Sequence, residues 1–421
     1  MNAPTAAPLN RLDLAHRYRE VRAQTERLCT PLATDDYQVQ SALETSPPKW
    51  HLAHVSWFFE TFLLKPESAR YRLFHPVFEQ IFNSYYETVG SYHPRARRGV
   101  LSRPTVEEVY RYRRHVDEAM LGLIDTIPDT RWSALAARVT LGLHHEQQHQ
   151  ELLLMDIKHN FAANPLRPAY QPGTSASVTS AAPLRWIECP GGIVEIGHAG
   201  NGFAFDNETP RHAVLLHDHA LASRLTTNGE YLDFMTAGGY DDVRLWLADG
   251  WAKRHEHAWH APLYWEVRDG QWWQMTLGGM RPLKLDEPVC HVSFYEADAY
   301  ARWAGRRLPR EEELETMLVT QPVDGNCVES GLLQPRAAAD GDGQWYGDVW
   351  EWTRSSYAPY PGFVPLAGSL GEYNGKFMAN QMVLRGGSCV TPQSHLRESY
   401  RNFFYPHDRW PFAGIRLAAD R

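Results

Sequence analysis

The chain has 421 residues, enough for two domains of ordinary size that each bury their own core. Its formal net charge of -8 argues against nucleic acid as a partner, because a phosphate-binding surface needs a basic excess. The sequence lacks a secretory signal and any apolar run near the roughly 20 residues that span a bilayer, and its five scattered cysteines lack CxxC spacing, so we expect a cytoplasmic protein with no membrane partner.

The first part of the chain has the pattern of a helical bundle. Helix-forming residues with an apolar face occupy four segments, 11–28, 49–64, 105–125 and 131–161. Pro47 and Pro48 precede the second segment, and Thr105 and Glu108 have capping-box spacing at the start of the third. These features predict a four-helix bundle over residues 1–170, in which the long connection from about 64 to 104 is functional.

After residue 170 the composition changes. Residues 171–184 are small and polar with Gly and Pro, which is typical of a linker. From 185 to 421, short strand-like segments alternate with Gly, Asn and Asp turns, and one clear helix is expected at 293–305. The pattern predicts a second, loop-rich α+β domain over 185–421.

The last bundle segment contains His145-Glu146-Gln147-Gln148-His149, an H-E-x-x-H string. On a helix, His145 and His149 project from one face, and Gln148 lies on the same side. Two imidazoles in a bundle core can bind one metal ion. Glu151 lies on another side of the helix and is expected to have a supporting or packing role.

The third ligand decides what kind of site this is. A zinc metallopeptidase would use Glu146 as general base and take a third ligand from further along the chain. The upstream alternatives are His51 and His54, which are three residues apart on the second predicted helix. Three neutral imidazoles with open positions suit Fe(II) as well as zinc.

The first domain resembles that of the EgtB-type ergothioneine-biosynthesis sulfoxide synthases, a DinB-like four-helix bundle. The matching segments are 46–61, 82–90, 95–104 and 143–159. The second domain resembles the formylglycine-generating-enzyme/sulfatase-modifying fold, which has a C-type-lectin-like architecture. Its matching segments are 288–309, 346–363, 383–404 and 409–418.

The resemblance implies an iron-dependent oxidoreductase. In that family a mononuclear non-heme Fe(II) is held by three histidines, which correspond here to His54, His145 and His149. The enzyme uses O2 to join a sulfur donor to imidazole C2 of hercynine, leaving a sulfoxide. A sister branch, the selenoneine synthases (SenA), uses a selenosugar and forms a carbon–selenium bond, so the donor is a thiol or a selenosugar.

The resemblance also points to residues around the metal. Tyr85 and Tyr86 match a tyrosine pair that lies beside the iron in the branch using free cysteine, and either phenol can act as a catalytic acid. Gln148 corresponds to a residue near bound hercynine. On the same connection as the tyrosines, Arg95 and Arg98 are candidates to clamp the carboxylate of the donor.

Three residues near the C-terminus are expected to bind hercynine. Asn402 is a candidate for its carboxylate, and Trp410 and Phe412 for its trimethylammonium group through cation–π contact.

Some positions depart from the family pattern. The usual Asn is replaced by Asp348 in "GDVWEW", and Cys389 stands where formylglycine-generating enzymes have Trp. These differences leave the metal ligands untouched, but they leave the donor open. The alternatives to such an enzyme are a zinc metallopeptidase and a non-catalytic lectin-like binding protein, and the three histidines with the tyrosine pair argue against the second.

Overall fold

The computed structural model of the protein describes residues 10–173, 180–200 and 202–421. It divides into two compact units. The first contains Met1–Pro165 with two later segments, Gly200–Phe205 and Leu366–Tyr373; the second contains Leu166–Ala199, Asp206–Pro365 and Asn374–Arg421. Part of the predicted linker at 171–184 lies outside the described residues. Among those described, no helix combines the length and apolar character needed to cross a membrane.

The first unit is built from helices. Its helices are α1 (Arg11–Cys29), α2 (Pro48–Phe59), α3 (Lys65–Glu67), α4 (Phe78–Phe82), α5 (Val106–Thr126) and α6 (Asp129–Ala163), and a π-helical turn at Glu60–Leu64 joins α2 to α3. The four long helices, α1, α2, α5 and α6, fall in the four predicted segments. The long predicted connection contains α4 and a 3-10 helix at Arg95–Val100.

Local sequence determines where these helices begin. Pro48 is the first residue of α2, where its missing N–H costs nothing. Thr105 caps α5 through the predicted capping box: its hydroxyl accepts from the Glu108 N–H (3.2 Å), and the Glu108 carboxylate accepts from the Thr105 N–H (2.7 Å). All twelve residues of α2 are buried, so this helix forms the centre of the unit.

The second unit combines short strands with short helices. The strands are β1 (Trp186–Cys189), β2 (Gly192–Ile196), β3 (His212–Leu216), β4 (His219–Ala222), β5 (Trp265–Arg268), β6 (Gln271–Thr276), β7 (Gly279–Pro282), β8 (Trp350–Ser356), β9 (Met382–Arg385), β10 (Asn402–Phe404), β11 (Ala413–Gly414) and β12 (Ala418–Asp420). They form sheets in the orders β1-β4-β12, β10-β9-β8-β11, β2-β3 and β5-β6-β7. Only the β8–β11 pair is parallel among the described strand pairs.

The expectation of one clear helix in this domain was wrong. The expected helix is α9 (Phe294–Trp303), and in the described part of the domain three others accompany it: α7 (Asn228–Thr236), α8 (Ala248–Glu256) and α10 (Glu311–Leu318). These helices are eight or nine residues long, which is too short for a helical period to stand out from the sequence. The predicted architecture, a helical bundle followed by an α+β domain, is confirmed.

Candidate metal centre

Three histidines from two neighbouring helices meet in the first unit. α2 supplies His54 and α6 supplies His145 and His149, and one nitrogen atom of each lies within 4.8 Å of the other two. The Nε2 atoms of His54 and His145 are 3.2 Å apart. His54 and His145 are buried, whereas His149 is half-buried. The cluster therefore has two enclosed members and one at a more open side.

The environment keeps these imidazoles neutral. Burial lowers the pKa of His145 to about 3. Burial, and then the neighbouring His145, lower the pKa of His54, and burial followed by His54 lowers that of His149. A neutral imidazole has a free lone pair, which is the form that binds a metal ion.

Hydrogen bonds indicate which nitrogen of each ring is available. His54 Nδ1 lies 2.6 Å from the Phe82 carbonyl oxygen, so Nδ1 carries the proton and Nε2 has the lone pair. In the described part of the chain His145 Nδ1 has no hydrogen-bond partner. The convergence of neutral imidazole nitrogens fits a divalent transition metal, for which imidazole is a good ligand.

The other upstream histidine, His51, faces a different set of atoms. Its Nδ1 lies 2.9 Å from His149 Nδ1, and its Nε2 lies 2.9 Å from a carboxylate oxygen of Asp156. Both ring nitrogens are therefore engaged. Of the two alternatives, His54 is the one whose nitrogen joins the cluster.

Aromatic rings enclose the buried ligands. Trp50 and Trp57 stack on either side of His54, with ring centroids 4.5 and 5.4 Å from its own and interplanar angles of 12° and 16°. The Phe58 ring lies 4.5 Å from that of His145. Such packing limits the rotation of both imidazoles and excludes water from the enclosed side of the cluster.

Comparison with known proteins identifies the family of the chain. Residues 17–153 match the DinB superfamily, and residues 176–318 and 336–421 match the sulfatase-modifying factor enzyme 1-like domain. The hercynine oxygenase of Mycolicibacterium thermoresistibile is 31% identical over 98% of this chain and 95% of its own length. That of Mycobacterium tuberculosis is 32% identical over 97% of this chain and 98% of its own length. The chain belongs to the hercynine oxygenase family.

A more distant relative matches part of the chain. Ergothioneine biosynthesis protein 1 of Schizosaccharomyces pombe is 28% identical over 51% of this chain and 27% of its own length. The predicted resemblance to EgtB-type enzymes is confirmed, and this member of the hercynine oxygenase family is an enzyme.

Glu146 is the residue that a zinc peptidase would need most, and in this hercynine oxygenase family member it lies in the core. Its carboxylate is fully buried and accepts hydrogen bonds from Arg22 (2.9 Å), Arg113 (3.2 Å) and Thr25 (2.7 Å). Although burial alone would raise the pKa of Glu146, the two guanidinium groups hold it below its usual value. A carboxylate committed to two arginines is a structural ion pair, not a general base.

The two tyrosines lie behind the aromatic enclosure of His54. Tyr85 and Tyr86 stack on one another, with centroids 4.7 Å apart, and the Tyr86 ring lies 5.6 Å from Trp57. Burial, and then the neighbouring Tyr85, raise the pKa of Tyr86, so this phenol keeps its proton. Tyr86 is buried and Tyr85 half-buried. A catalytic role for either residue stays a prediction.

Gln148 has a partner that the sequence did not suggest. Its side-chain carbonyl accepts a hydrogen bond from the hydroxyl of Tyr373, and the Tyr373 ring lies 5.6 Å from that of His145. Tyr373 belongs to the segment Leu366–Tyr373, which joins the first unit from far along the chain. It stands in an irregular stretch with no periodicity, so nothing in the sequence marks it as a neighbour of the histidines.

The two candidate arginines lie in different surroundings. Arg98 is buried, with its guanidinium carbon 3.3 Å from the Trp50 ring centroid and hydrogen bonds to the hydroxyls of Ser46 (2.8 Å) and Ser84 (3.3 Å). Arg95 is exposed. They are therefore not a matched pair, and carboxylate binding by either one stays a prediction.

The remaining candidates belong to the second unit. Asn402 opens β10, and its side-chain oxygen accepts from the next backbone N–H (2.9 Å). Trp410 is half-buried, with its ring edge-on to Phe404 at 5.6 Å. Phe412 is fully buried and packs against His291 at 4.6 Å. Their roles in hercynine binding stay predictions.

Proposed function

We propose that this chain is an Fe(II)- and O2-dependent sulfoxide synthase that joins a thiol to imidazole C2 of hercynine. The observation that carries the proposal is the convergence of three neutral imidazoles at a site with one half-buried member. Support for the substrate comes from the near full-length relatives named hercynine oxygenase.

The overall reaction balances with one molecule of O2. The imidazole C2–H and thiol S–H bonds break, and a C–S bond and a sulfoxide S–O bond form. One oxygen atom enters the sulfoxide and the other leaves as water with the two hydrogens. When bound, Fe(II) supplies the redox chemistry that reduces O2.

The residues of the chain have distinct parts in this proposal. His54, His145 and His149 hold the iron, and the half-buried side at His149 leaves room for substrates. Either Tyr85 or Tyr86 is the phenol that transfers a proton during the reaction, and Tyr86 is held in its protonated form by its raised pKa. Gln148 contributes an amide beside the ligands, held by the Tyr373 hydroxyl.

The remaining proposed substrate contacts are taken from the family resemblance. Asn402 is assigned to the hercynine carboxylate, and the half-buried Trp410 ring to the trimethylammonium group. Phe412 is assigned to the same group, but its ring is fully buried beside His291 and would have to be uncovered to contact it. An arginine binds the carboxylate of the donor. The relative named for ergothioneine biosynthesis favours a sulfur donor over a selenosugar, and we place the reaction in the cytoplasm.

The test combines donor competition with metal analysis. Anaerobic protein loaded with Fe(II) is mixed with hercynine and equal concentrations of cysteine, γ-glutamylcysteine and a selenosugar, and oxygen is then admitted. We expect O2 consumption and a product whose mass equals hercynine plus thiol plus one oxygen minus two hydrogens. A selenium-containing product would reassign the donor, and no O2 consumption with any donor would refute the proposal.

Ligand variants link the reaction to the histidines. His54→Ala should lose bound iron and turnover, because it removes one of the three ligands. His115→Gln, on α5 and outside the cluster, is the control and should keep both. Iron content that survives in His54→Ala would show that the third ligand is another residue.

A further inference from the structure

A hydrogen-bonded chain leads from one candidate ligand to a buried carboxylate. His149 Nδ1 lies 2.9 Å from His51 Nδ1, and His51 Nε2 lies 2.9 Å from Asp156 Oδ2. The same oxygen accepts from the Ser46 backbone N–H at 2.8 Å. His51 and Asp156 are both buried, at 2% and 3% exposure, so water does not compete for these hydrogen bonds.

The chemistry of each group sets the direction of every hydrogen bond in the chain. A carboxylate only accepts, so His51 Nε2 carries a hydrogen and donates to Asp156. The other ring nitrogen of His51, Nδ1, lies 2.9 Å from His149 Nδ1. When His149 uses Nε2 as a metal ligand, its hydrogen is on Nδ1, and His51 Nδ1 accepts from it. The lone pair of His149 is then on Nε2, the ring nitrogen that takes no part in these hydrogen bonds.

The three candidate ligands are supported in different ways. His54 donates from Nδ1 to a neutral backbone carbonyl, at 2.6 Å from Phe82. His145 Nδ1 has no hydrogen-bond partner in the described ranges 10–173, 180–200 and 202–421. Of the three, His149 is the ligand connected to a carboxylate, through one intervening imidazole. It is also the half-buried ligand of the three.

We infer that His51 and Asp156 are positioning residues that fix the tautomer and orientation of His149 for metal binding. Acceptors behind a ligating imidazole orient the ring and make it a stronger donor to the metal. These hydrogen bonds from His149 through His51 to Asp156, called the relay below, link α2, which carries His51, to α6, which carries the other two residues. The inference rests on the proposed metal site, and it predicts two residues beyond the three ligands on which metal affinity depends.

The decisive comparison uses two replacements of His51. His51→Phe keeps a planar ring of similar size but has no nitrogen, whereas His51→Gln keeps one acceptor and one donor. Anaerobic Fe(II) and Co(II) titrations of the full chain measure affinity, and the visible Co(II) spectrum reports ligand geometry. We expect His51→Phe to bind about 10- to 100-fold more weakly with an altered spectrum, and His51→Gln to recover part of the affinity.

A double-mutant cycle tests whether Asp156 acts through His51. Asp156→Asn removes the charge and should weaken binding when His51 is present, but add little in the His51→Phe background. His219→Gln removes a buried imidazole from the second unit and should bind metal like the wild type. Circular dichroism and thermal melting establish that each variant is folded before its affinity is compared.

The outcomes separate this inference from the proposed function. If the wild type binds neither metal ion, the proposed function fails. If the wild type binds and His51→Phe matches it in affinity and spectrum, the relay alone is refuted. Equal losses of metal affinity in His51→Phe and His51→Gln would show that His51 acts through packing, and they would also overturn the inference. The same holds if Asp156→Asn weakens metal binding as much in the His51→Phe background as in the wild type.

Discussion

Glu146, one of three residues between His145 and His149, shows how a sequence motif can match by letters and differ in chemistry. Glu146 shares its string with zinc peptidases, yet its side chain is turned into the core and paired with Arg22 and Arg113. A helix places consecutive residues about 100° apart, so Glu146 and His145 face different surroundings. The string alone does not reveal which neighbours each face meets.

Replacing Glu146 by Gln should therefore reduce stability and leave the metal affinity unchanged. The change removes the counter-charge that Arg22 and Arg113 share and leaves each with one other carboxylate, Asp117 at 2.7 Å and Glu26 at 3.3 Å. The free energy of unfolding should fall by about 1.5–3 kcal/mol. Urea unfolding and an Fe(II) titration measure the two quantities. Unchanged stability combined with lost metal-dependent activity would instead favour the peptidase interpretation.

The buried carboxyl group of Asp348 makes the stability of the second unit depend on pH. Its buried carboxyl accepts from Asn326 (2.7 Å), the Arg336 N–H (2.8 Å) and Gln344 (3.2 Å), yet burial raises its pKa from 3.8 to about 6. Because the folded-state pKa exceeds the unfolded one, this group stabilises the fold below about pH 4. That contribution is lost as the pH rises from about 4 through 6.

Asp348→Asn should remove this dependence. The difference between a pKa of 3.8 and one of about 6 corresponds to roughly 3 kcal/mol. The stability of the variant relative to the wild type should therefore rise by about that much between pH 4 and pH 7. Comparing urea unfolding of the two proteins at both pH values cancels the titration of all other groups. A stability difference that does not vary with pH would contradict the assignment.

At the scale of elements, the features that can be predicted from the sequence are those that produce a periodic pattern of apolar residues. The long helices follow from their apolar faces, and the one-turn spacing places His145 and His149 together. Helical periodicity does not decide whether His51 or His54 is the third ligand, because their spacing allows either side chain to face the bundle interior. Tertiary packing determines the short helices α7, α8 and α10, which leave no periodic signal in the sequence. The same is true of the contact between Tyr373 and Gln148.

The approach of α2 to α6 depends on a glycine. A Cβ added at Gly142 would lie 2.6 Å from a ring carbon of Phe59 and 3.2 Å from one of Phe58. Gly142→Ala should push the helices apart, cost about 1–3 kcal/mol and weaken metal binding, because the ligands come from both helices. Thermal melting and a Co(II) titration measure the two effects.

A second helical glycine provides the control. Gly122 lies on α5, where an added Cβ would meet no atom within 4 Å. Gly122→Ala should therefore raise stability by roughly 0.5–1 kcal/mol, the usual gain in an exposed helix, and leave the metal affinity unchanged. Similar effects of the two substitutions would show that the helix contact at Gly142 is unimportant.

At the scale of the whole molecule, the first unit is completed by residues from late in the chain. Phe203 stacks on His144 at 4.0 Å, and Tyr373 lies beside His145. Glu372 accepts hydrogen bonds from the backbone N–H groups of Glu87 (3.1 Å) and Thr88 (3.0 Å). The loop that follows Tyr85 and Tyr86 is therefore fastened by a segment almost three hundred residues away in sequence.

Glu372→Ala should release this loop without disturbing the three histidines. We expect Fe(II) affinity within about twofold of the wild type, faster hydrogen exchange in residues 85–90, and turnover reduced about tenfold, since a 1 Å misplacement of a reacting group can cost still more. Glu118→Ala, which removes an exposed carboxylate of α5, is the matched control and should change none of the three. Unchanged exchange in the loop would show that Glu372 does not hold it, and faster exchange with full turnover would show that the tyrosine loop takes no part in the reaction.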